Sequence, residues 1–521
     1  MRKITVAILF LIINSIGIAQ EQDIVDTLVF PNEITYHSDL EREAFYEFFN
    51  DNQENYIKLF FAKDPSLTKE EYLNKYAALE QYISTLKNDK NFNKQEKKKV
   101  KYYYNKIHNK YLSKYELNTF FPQIFKNGYY NCATGTILFS LIFDELNIPY
   151  TIKVSPIHAY IVAYPSTESI IVETTNPIKG YFTFNQTFKD NYVKHLRDNK
   201  MISTQEYNSS SVDVLFDKYY FKEKDISLKE MVGIQYYNDA IEKIQNQNLE
   251  DAFYELEKAY LFYPSDDIEY LLYYTAAYVI EKQDYSDIKY VNFLYKIARY
   301  KKFGINQQQI IGEFGRITQT QMEYKGRYEL YDTIYSRLNK NLTDEQVKKE
   351  ITFIYNYEKA RLFIRNEKIE EALPHVKEAL KIRPEHLDLQ TLFVYVLTKK
   401  YGGINLTDDI LKNLYQYGEE YPVLKENNNY LNMLSDAIVF MAVQNYENKN
   451  IKKALKYQEM FNEIGTNEYL DYEYNISRLY SAAAVYYFRI GNMKKSKSII
   501  LRGLELAPNS YELKQRLKTF N

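Results

Sequence analysis

The amino-acid sequence predicts a mostly α-helical protein that contains one small α+β domain. Apolar residues recur at helical spacing from about residue 40 to 115 and again from about residue 230 to the end. Between about residues 116 and 182 the spacing changes to the alternation of short strands. In the last part, small residues recur at fixed intervals, which indicates internal repeats. With 521 residues, 45% of them hydrophobic, the chain is long enough for roughly three domains.

Residues 1–19 have the features of a secretory signal peptide. Two basic residues precede an apolar stretch at residues 4–13, and Gly17 and Ala19 supply the small side chains that a signal peptidase recognises. Cleavage would leave Gln20 first. A membrane anchor is the alternative, but the apolar stretch is short and interrupted by polar residues, which favours cleavage. We therefore expect an exported protein, periplasmic or secreted, with no membrane span after cleavage.

The region from residue 20 to 115 is expected to be helical. Aromatic residues lie near helical spacing between residues 41 and 61, and Thr68 and Glu71 have the spacing of a capping box. A basic run at residues 97–101 leads into three tyrosines, a combination also found in single-stranded nucleic-acid sites. A solvated helix face is the favoured interpretation, because a charge run alone is not specific. The near balance of 67 basic and 69 acidic residues also argues against a nucleic-acid partner.

The α+β domain is predicted at residues 116–185, with an extension to about residue 225 as the wider interpretation. Asn131 is a good N-cap residue, and the run from 133 to 147 has helical apolar spacing. Residues 165–168 form a hairpin turn between the second and third predicted strands. The three predicted strands cover residues 150–154, 159–164 and 169–173.

Cys132 is the only cysteine in the chain, and it lies at the predicted helix start. In an exported protein a single cysteine is an inert buried thiol, a reactive thiol or an intermolecular link. The partial positive charge of a helix N-terminus stabilises a thiolate, as a nucleophilic cysteine requires. His158 on one strand and Glu173 on the next would supply a base and a group that orients it.

The register of the hairpin decides which residue lies beside His158. With a four-residue loop, His158 lies opposite Thr175, and Glu173 is its diagonal neighbour on the same face. A five-residue loop shifts the register by one residue and brings Asn176 to that face instead. We favour Glu173 as the orienting residue and keep Asn176 as the alternative.

Acyl chemistry also needs hydrogen-bond donors for an oxyanion. The Cys132 backbone N–H is one expected donor. A second donor would come from a side chain, and the sequence leaves three candidates open, namely Gln123, Tyr129 and Tyr130.

The order of these motifs resembles the transglutaminase-like superfamily, which belongs to the papain-like thiol fold. The resemblance implies that Cys132 is the nucleophile, His158 the base and Glu173 the orienting acid. The chemistry that it implies is acyl transfer from amides: cross-linking, deamidation or peptide hydrolysis. Tyr160 stands where the family commonly has Trp, and Glu173 where it has Asp. The segments that carry the resemblance are Gly128 to Cys132, Leu146-Asn147-Ile148-Pro149, His158-Ala159-Tyr160 and Val172-Glu173-Thr174-Thr175.

Three sets of residues share one spacing between residues 230 and 521. Small residues allow two antiparallel helices to approach closely, and a proline ends the second helix. This pattern resembles the tetratricopeptide repeat, a helix-turn-helix unit of about 34 residues that stacks into a superhelix. Ala454 with Phe461 is a partial fourth match, and the stretch from about 270 to 349 is divergent. The three sets are Ala240, Ala252, Leu256, Ala259 and Pro264; Ala360, Ala372, Val376, Ala379 and Pro384; and Ala484, Ser496, Ile500, Gly503 and Pro508.

These observations predict a thiol enzyme whose repeats hold a protein or peptide partner. The alternative is a non-catalytic periplasmic scaffold for protein interactions, in which the thiol domain is degenerate. A third interpretation, a glycan-binding repeat protein, is disfavoured by the absence of Trp, although 55 Tyr are present. We find no metal-ligand spacing, P-loop or dinucleotide motif, so we expect neither a metal nor a cofactor.

Overall fold

A computed structural model describes residues 28–155, 158–176, 180–184, 186–198, 201–220, 224–303, 306–402, 406–464 and 472–520. The predicted signal peptide, residues 1–19, lies outside the described residues. The described residues form 24 α-helices and seven strands. This composition confirms the prediction of a mostly α-helical chain with a small β component.

The N-terminal region consists of helices joined by short polar segments. The predicted capping box is present, because Thr68 Oγ1 accepts a hydrogen bond from Glu71 N at 3.2 Å while Glu71 Oε2 accepts one from Thr68 N at 2.9 Å. The aromatic run at residues 41–61 is divided between two helices, since polar residues including Asn52, with φ 53°, interrupt it. The helices are α1 (Asp39–Phe49), α2 (Tyr56–Ala62), α3 (Lys69–Lys87) and α4 (Glu96–Tyr111).

The α+β part is a helix packed against a five-stranded antiparallel sheet. The helix, α6 (Cys132–Glu145), is buried from Ala133 to Phe143, and Thr136 Oγ1 donates a hydrogen bond to the Ala159 carbonyl at 3.2 Å. A separate parallel pair, β1 (Lys114–Tyr115) and β2 (Tyr129–Tyr130), flanks α5 (Phe121–Asn127). The sheet has the order β6-β5-β4-β3-β7, with β3 (Tyr150–Ser155), β4 (His158–Ala163), β5 (Ile170–Val172), β6 (Tyr181–Phe182) and β7 (Lys224–Ile226).

Three further helices lie between β6 and β7. Their buried residues include Val193, Leu215 and Phe216, and Phe184 belongs both to this cluster and to the cluster on the sheet. The buried cluster of these helices and the cluster on the sheet therefore meet at Phe184. They are α7 (Gln186–Asp198), α8 (Thr204–Ser209) and α9 (Val212–Tyr220).

Four helical hairpins carry the residue sets that recur in the sequence. In each hairpin a three-residue turn joins the helices, and the middle residue of the turn is left-handed, with φ between 58° and 81°. The third turn residue then donates its backbone N–H to a carbonyl five residues earlier, as in Asn248 N to Lys243 O at 2.9 Å and Lys368 N to Phe363 O at 2.8 Å. The hairpins are α10 (Leu228–Gln245) with α11 (Leu249–Phe262), α16 (Glu345–Arg365) with α17 (Ile369–Ile382), α20 (Asn428–Glu447) with α21 (Ile451–Ile464), and α22 (Tyr472–Arg489) with α23 (Met493–Leu506).

The small residues of each set are buried where the two helices of a hairpin meet. Ala240 and Ala252 are fully buried in the first hairpin, as are Ala360 and Ala372 in the second. The fourth set, partial in the sequence, is extended by Ala442, which is buried twelve residues before Ala454. The prolines of the three complete sets lie two residues beyond the ends of α11, α17 and α23.

The remaining helices connect and flank these hairpins. The divergent stretch contains short helices and a π-helical segment, Thr318–Tyr324, so it departs from the regular hairpin pattern. The helices are α12 (Asp266–Glu281), α13 (Val291–Ile297), α14 (Gln307–Ile317), α15 (Tyr328–Asn341), α18 (Leu387–Tyr401), α19 (Asp408–Glu420) and α24 (Tyr511–Lys518).

The described residues divide into two compact units. One contains residues 28–283 and 299–303, and the other contains residues 284–298 and 306–520, each with the gaps given above. The first unit therefore combines the α+β part with the first helical hairpin. Among the described residues, no helix has both the length and the apolar character that crossing a bilayer requires.

Candidate active site

Cys132 is the first residue of α6 and is partly exposed. Asn131 caps this helix as predicted, since its side-chain oxygen accepts a hydrogen bond from Thr134 N at 2.9 Å, and Thr134 Oγ1 accepts one from Asn131 N at 2.9 Å. The Asn131 amide nitrogen also donates to the carbonyls of Leu117 and Thr119, at 2.9 and 3.2 Å. The residue before the thiol is therefore fixed both by the helix and by the preceding loop.

His158 and Glu173 lie on the paired strands β4 and β5 and the segment that follows β5. The register pairs Ile161 with Val172 and Ala163 with Ile170, as expected for the four-residue loop. The turn itself closes with a hydrogen bond from Ser169 N to the Tyr164 carbonyl at 2.9 Å. This register brings the Glu173 carboxylate to the imidazole, and His158 Nε2 lies 2.6 Å from Glu173 Oε2.

The His158 imidazole interacts with both Cys132 and Glu173. Hydrogen bonding to Cys132, and then to Glu173, raises the pKa of His158 to about 10, against the opposing effect of burial. With this raised pKa the ring is protonated at neutral pH.

Thr175 holds the other oxygen of the Glu173 carboxylate. Glu173 Oε1 accepts hydrogen bonds from Thr175 N at 2.9 Å and from Thr175 Oγ1 at 2.5 Å. Burial opposes ionisation of Glu173, but the hydrogen bonds from His158 and Thr175 hold its pKa below the ordinary value. The carboxylate is therefore ionised and oriented when it meets the imidazole.

Helix α4 supports the Glu173 segment through Tyr104. The Tyr104 hydroxyl donates a hydrogen bond to the Glu173 carbonyl at 3.0 Å, and its ring stacks on Phe139 of α6 at 5.4 Å. Gly180 lies against the same ring, because a Cβ there would be 1.9 Å from the Tyr104 hydroxyl oxygen. Tyr104 thus links the helix that carries the thiol to the segment that carries the carboxylate.

Gly135 allows a second close approach next to the thiol. A Cβ at Gly135 would lie 2.6 Å from Oγ1 and 2.9 Å from Cβ of Thr174, the residue after Glu173. Both Gly135 and Thr174 are buried. A glycine one turn after Cys132 therefore allows the Glu173 segment to pack directly on α6.

A second histidine, His108, is buried behind the site. Its ring lies 5.5 Å from the Tyr104 ring, and its Nε2 is 3.5 Å from the Tyr130 hydroxyl. Burial lowers the pKa of His108, although a hydrogen bond to the Thr174 backbone opposes this shift. The lowered pKa favours the neutral form of His108, unlike the protonated His158, and its hydrogen bond supports the backbone of Thr174, next to Glu173.

In the structure the donor atoms of two of the three predicted oxyanion residues, Gln123 and Tyr130, have other partners. Gln123 Nε2 lies 3.5 Å from Asp64 Oδ2, and the Tyr130 hydroxyl is buried against His108. The Tyr129 ring lies under the Lys114 ammonium group, at 4.7 Å. The Cys132 backbone N–H remains suited to an oxyanion, because the first N–H groups of a helix have no acceptor within the helix.

Tyr115 is a residue near the thiol that the sequence interpretation did not include. It pairs with Tyr130 in the parallel ladder, and their ring centroids lie 6.1 Å apart. Burial, followed by the nearby charges of Cys132 and Glu173, raises the pKa of Tyr115. Its side chain is 46% exposed, so it is accessible from solvent at the site. No local pattern predicts this placement, because it depends on the pairing of two strands separated by α5.

The structure thus brings Cys132, His158 and Glu173 into one constellation. His158 also stacks on Tyr160, with ring centroids 5.9 Å apart. No protein-family model and no curated protein sequence matches the chain. Chemically, a partly exposed thiol beside a protonated imidazole that a carboxylate orients is an arrangement suited to nucleophilic catalysis.

Proposed function

We propose that the protein is an exported, transglutaminase-like thiol enzyme that acts on amide groups of a protein or peptide. One observation carries the proposal: the His158 imidazole interacts with Cys132, and its Nε2 lies 2.6 Å from Glu173 Oε2, which orients the ring. Export is inferred from the signal-like residues 1–19. The capped helix against an antiparallel sheet, with the motif order of the sequence, supports membership in the papain-like thiol fold.

The first half of the reaction forms a thioester. The Cys132 sulfur attacks the amide carbon, and the carbonyl oxygen becomes an oxyanion near the Cys132 backbone N–H. The C–N bond then breaks as the His158 imidazolium gives a proton to the leaving nitrogen. Ammonia or an amine leaves, and the acyl group stays on the sulfur.

The second half releases the acyl group. Water or an amine attacks the thioester carbon, and neutral His158 takes the proton of the attacking group. The C–S bond breaks, and the sulfur again faces an imidazolium. Water gives hydrolysis or deamidation, whereas a lysine amine gives an isopeptide cross-link. Glu173 keeps the ring oriented and balances its charge in both halves.

The helical hairpins are proposed to be tetratricopeptide-type repeats that bind the protein substrate. Their support is the shared turn geometry and the buried small residues at corresponding positions. Repeats of this kind stack into extended surfaces that hold peptides, which suits an enzyme acting on a protein amide. The non-catalytic scaffold would use the same hairpins without the thiol.

The test is the rate at which iodoacetamide alkylates Cys132 at pH 6. Because Cys132 is the only cysteine, labelling reports on this thiol alone. We expect His158→Ala to lower the rate by about 10- to 100-fold, since an imidazolium beside a thiol favours the reactive thiolate.

The matched control is His195→Ala, which removes an exposed histidine of α7 and is expected to leave the rate unchanged. Equal rates for the wild type and His158→Ala would rule out an activated nucleophile and would favour the scaffold.

A further inference from the structure

The basic run of α4 forms an exposed positive face. Lys97, Lys98 and Lys101 are exposed, and their spacing places them on one side of the helix. In the part of the chain that the structure describes, none of these three ammonium groups forms an ion pair with a carboxylate. This face therefore carries three positive charges that have no carboxylate partner among the described residues, in a chain whose net charge is −2.

This face borders β6, the end strand of the five-stranded sheet. Lys97 Nζ donates a hydrogen bond to Thr183 Oγ1 at 2.9 Å, and Lys101 Nζ lies 5.8 Å from the centre of the Tyr181 ring. Among the described strands, β6 pairs only with β5, and its Phe182 side chain is 36% exposed. Tyr181 and Thr183 therefore point toward the lysines, whereas Phe182, which lies between them on the strand and contacts Phe184, points to the opposite face of the sheet end.

Hydrogen bonds through the buried Tyr104 connect this region to the candidate active site. Tyr104, one turn beyond Lys101 on α4, donates to the Glu173 carbonyl at 3.0 Å. Glu173 N in turn donates to the Gly180 carbonyl at 2.7 Å, and Gly180 directly precedes β6. Two hydrogen bonds thus connect the basic face and β6 to the residue that orients His158.

We propose that Lys97, Lys98, Lys101 and Phe182 form a docking surface for an extended acidic segment of the protein substrate. Alternate side chains of a segment paired with β6 would point to opposite faces of the sheet, so its carboxylates would pair with the lysines on one face and an apolar residue would pack on Phe182 on the other. An extended segment suits this place, because the end strand of a sheet can pair with another chain. The inference rests on the proposed function and identifies acidic, protein-borne amides as its substrate class.

The test measures peptide binding to the full chain with Cys132→Ala, so that catalysis plays no part. The probe is a fluorescein-labelled twelve-residue peptide with a central Gln and Phe flanked by four Glu, and its partner has Gln in place of each Glu. Fluorescence anisotropy is expected to show tighter binding of the acidic peptide. Lys97→Gln with Lys101→Gln is expected to weaken that binding by about 3- to 20-fold, as the loss of two exposed ion pairs would.

The matched control is Lys106→Gln with Lys110→Gln, which removes the same charge from exposed positions further along α4. This control is expected to retain the affinity of the parent. If both double variants lost the same affinity for the acidic peptide, the net charge of the protein would account for binding, and the proposal would be overturned. Equal binding of the two peptides, or no binding of either, would also overturn it.

Two other anionic partners are separate outcomes of the same assay. Tighter binding of an oligothymidylate or of phosphatidylglycerol vesicles than of the acidic peptide, lost in the Lys97 and Lys101 variant, would assign the surface to that partner instead. Because binding is measured without the thiol, the docking surface can fail while Cys132 stays reactive. Conversely, docking can be present when alkylation shows no activated thiol.

Discussion

The His158 ring interacts with the Cys132 thiol and the Glu173 carboxylate, and both interactions favour its protonated form. The raised pKa of about 10, against an ordinary value of about 6.5, means that the folded protein binds the proton more tightly than the unfolded chain. The contribution to stability is therefore complete below about pH 6.5 and is lost as the pH rises through about 10.

The first prediction follows from the upward direction of this pKa shift. As the pH rises from 7 to 10.5, the free energy of unfolding of the wild type should fall more steeply than that of His158→Gln, which carries no titrating ring. Urea unfolding at a series of pH values measures both curves. Parallel curves for the two proteins would show that His158 is not stabilised in its protonated form.

The second prediction concerns the group that orients the imidazole. Glu173→Gln keeps the shape of the side chain but removes its charge, so the rate of thiol alkylation at pH 6 should fall roughly 10-fold, less than for removal of the ring itself. Asn176→Ala, the alternative from the other hairpin register, should cause a smaller loss, because the structure pairs His158 with Glu173. A larger loss in Asn176→Ala than in Glu173→Gln would contradict the assignment.

At the scale of elements, the four hairpin turns share one backbone geometry but not one residue type. The left-handed position is Gln247, Glu367 and Lys449 in three turns and Gly491 in the fourth. Glycine adopts this conformation without the clash that a Cβ causes, so the three other residues carry a cost that Gly491 avoids.

The third prediction is that Glu367→Gly stabilises the hairpin of α16 and α17 by about 0.5–1 kcal/mol. Amide hydrogen exchange within these helices measures the change. Glu367→Ala removes the same charge but keeps a Cβ, so it should give no gain. Glu371→Gly, in the first turn of α17, should instead destabilise the helix by up to about 1 kcal/mol. Destabilisation by Glu367→Gly would contradict the interpretation of the turn.

At the scale of the whole molecule, a buried ionic cluster joins the N-terminal helices to the first hairpin. Glu255 of α11 accepts hydrogen bonds from Lys63 at 3.1 Å and from Lys243 at 3.0 Å, and it lies 2.6 Å from His37. Burial disfavours the charge of Glu255, but the neighbouring cations hold its pKa well below the ordinary value. Lys258, which is also fully buried, pairs with Glu41 of α1 at 2.9 Å. The first hairpin is therefore part of the same folded unit as the candidate active site.

The fourth prediction tests whether the first hairpin unfolds together with the first compact unit and separately from the second. Glu255→Ala leaves Lys63 and Lys258 buried with fewer counter-charges, so it should destabilise the first unit by about 3–5 kcal/mol. Hydrogen exchange should accelerate throughout residues 28–283 and change little in residues 306–520. Glu250→Ala, at the start of the same helix, is the comparison variant and should have a much smaller effect. Equal acceleration in both units would show that they do not unfold separately.

The sequence by itself determined the features that depend on neighbours along the chain. The Asn131 cap places Cys132 at a helix start, because capping acts over a few residues. The sequence favoured Glu173 but left two hairpin registers open, and the structure has the four-residue loop that brings Glu173 to His158. Only the tertiary structure decided what surrounds these three residues. Tyr104 reaches Glu173 across 69 positions, and Tyr115 approaches the thiol through a ladder with Tyr130. Such contacts arise from the packing of distant elements, which no local pattern records.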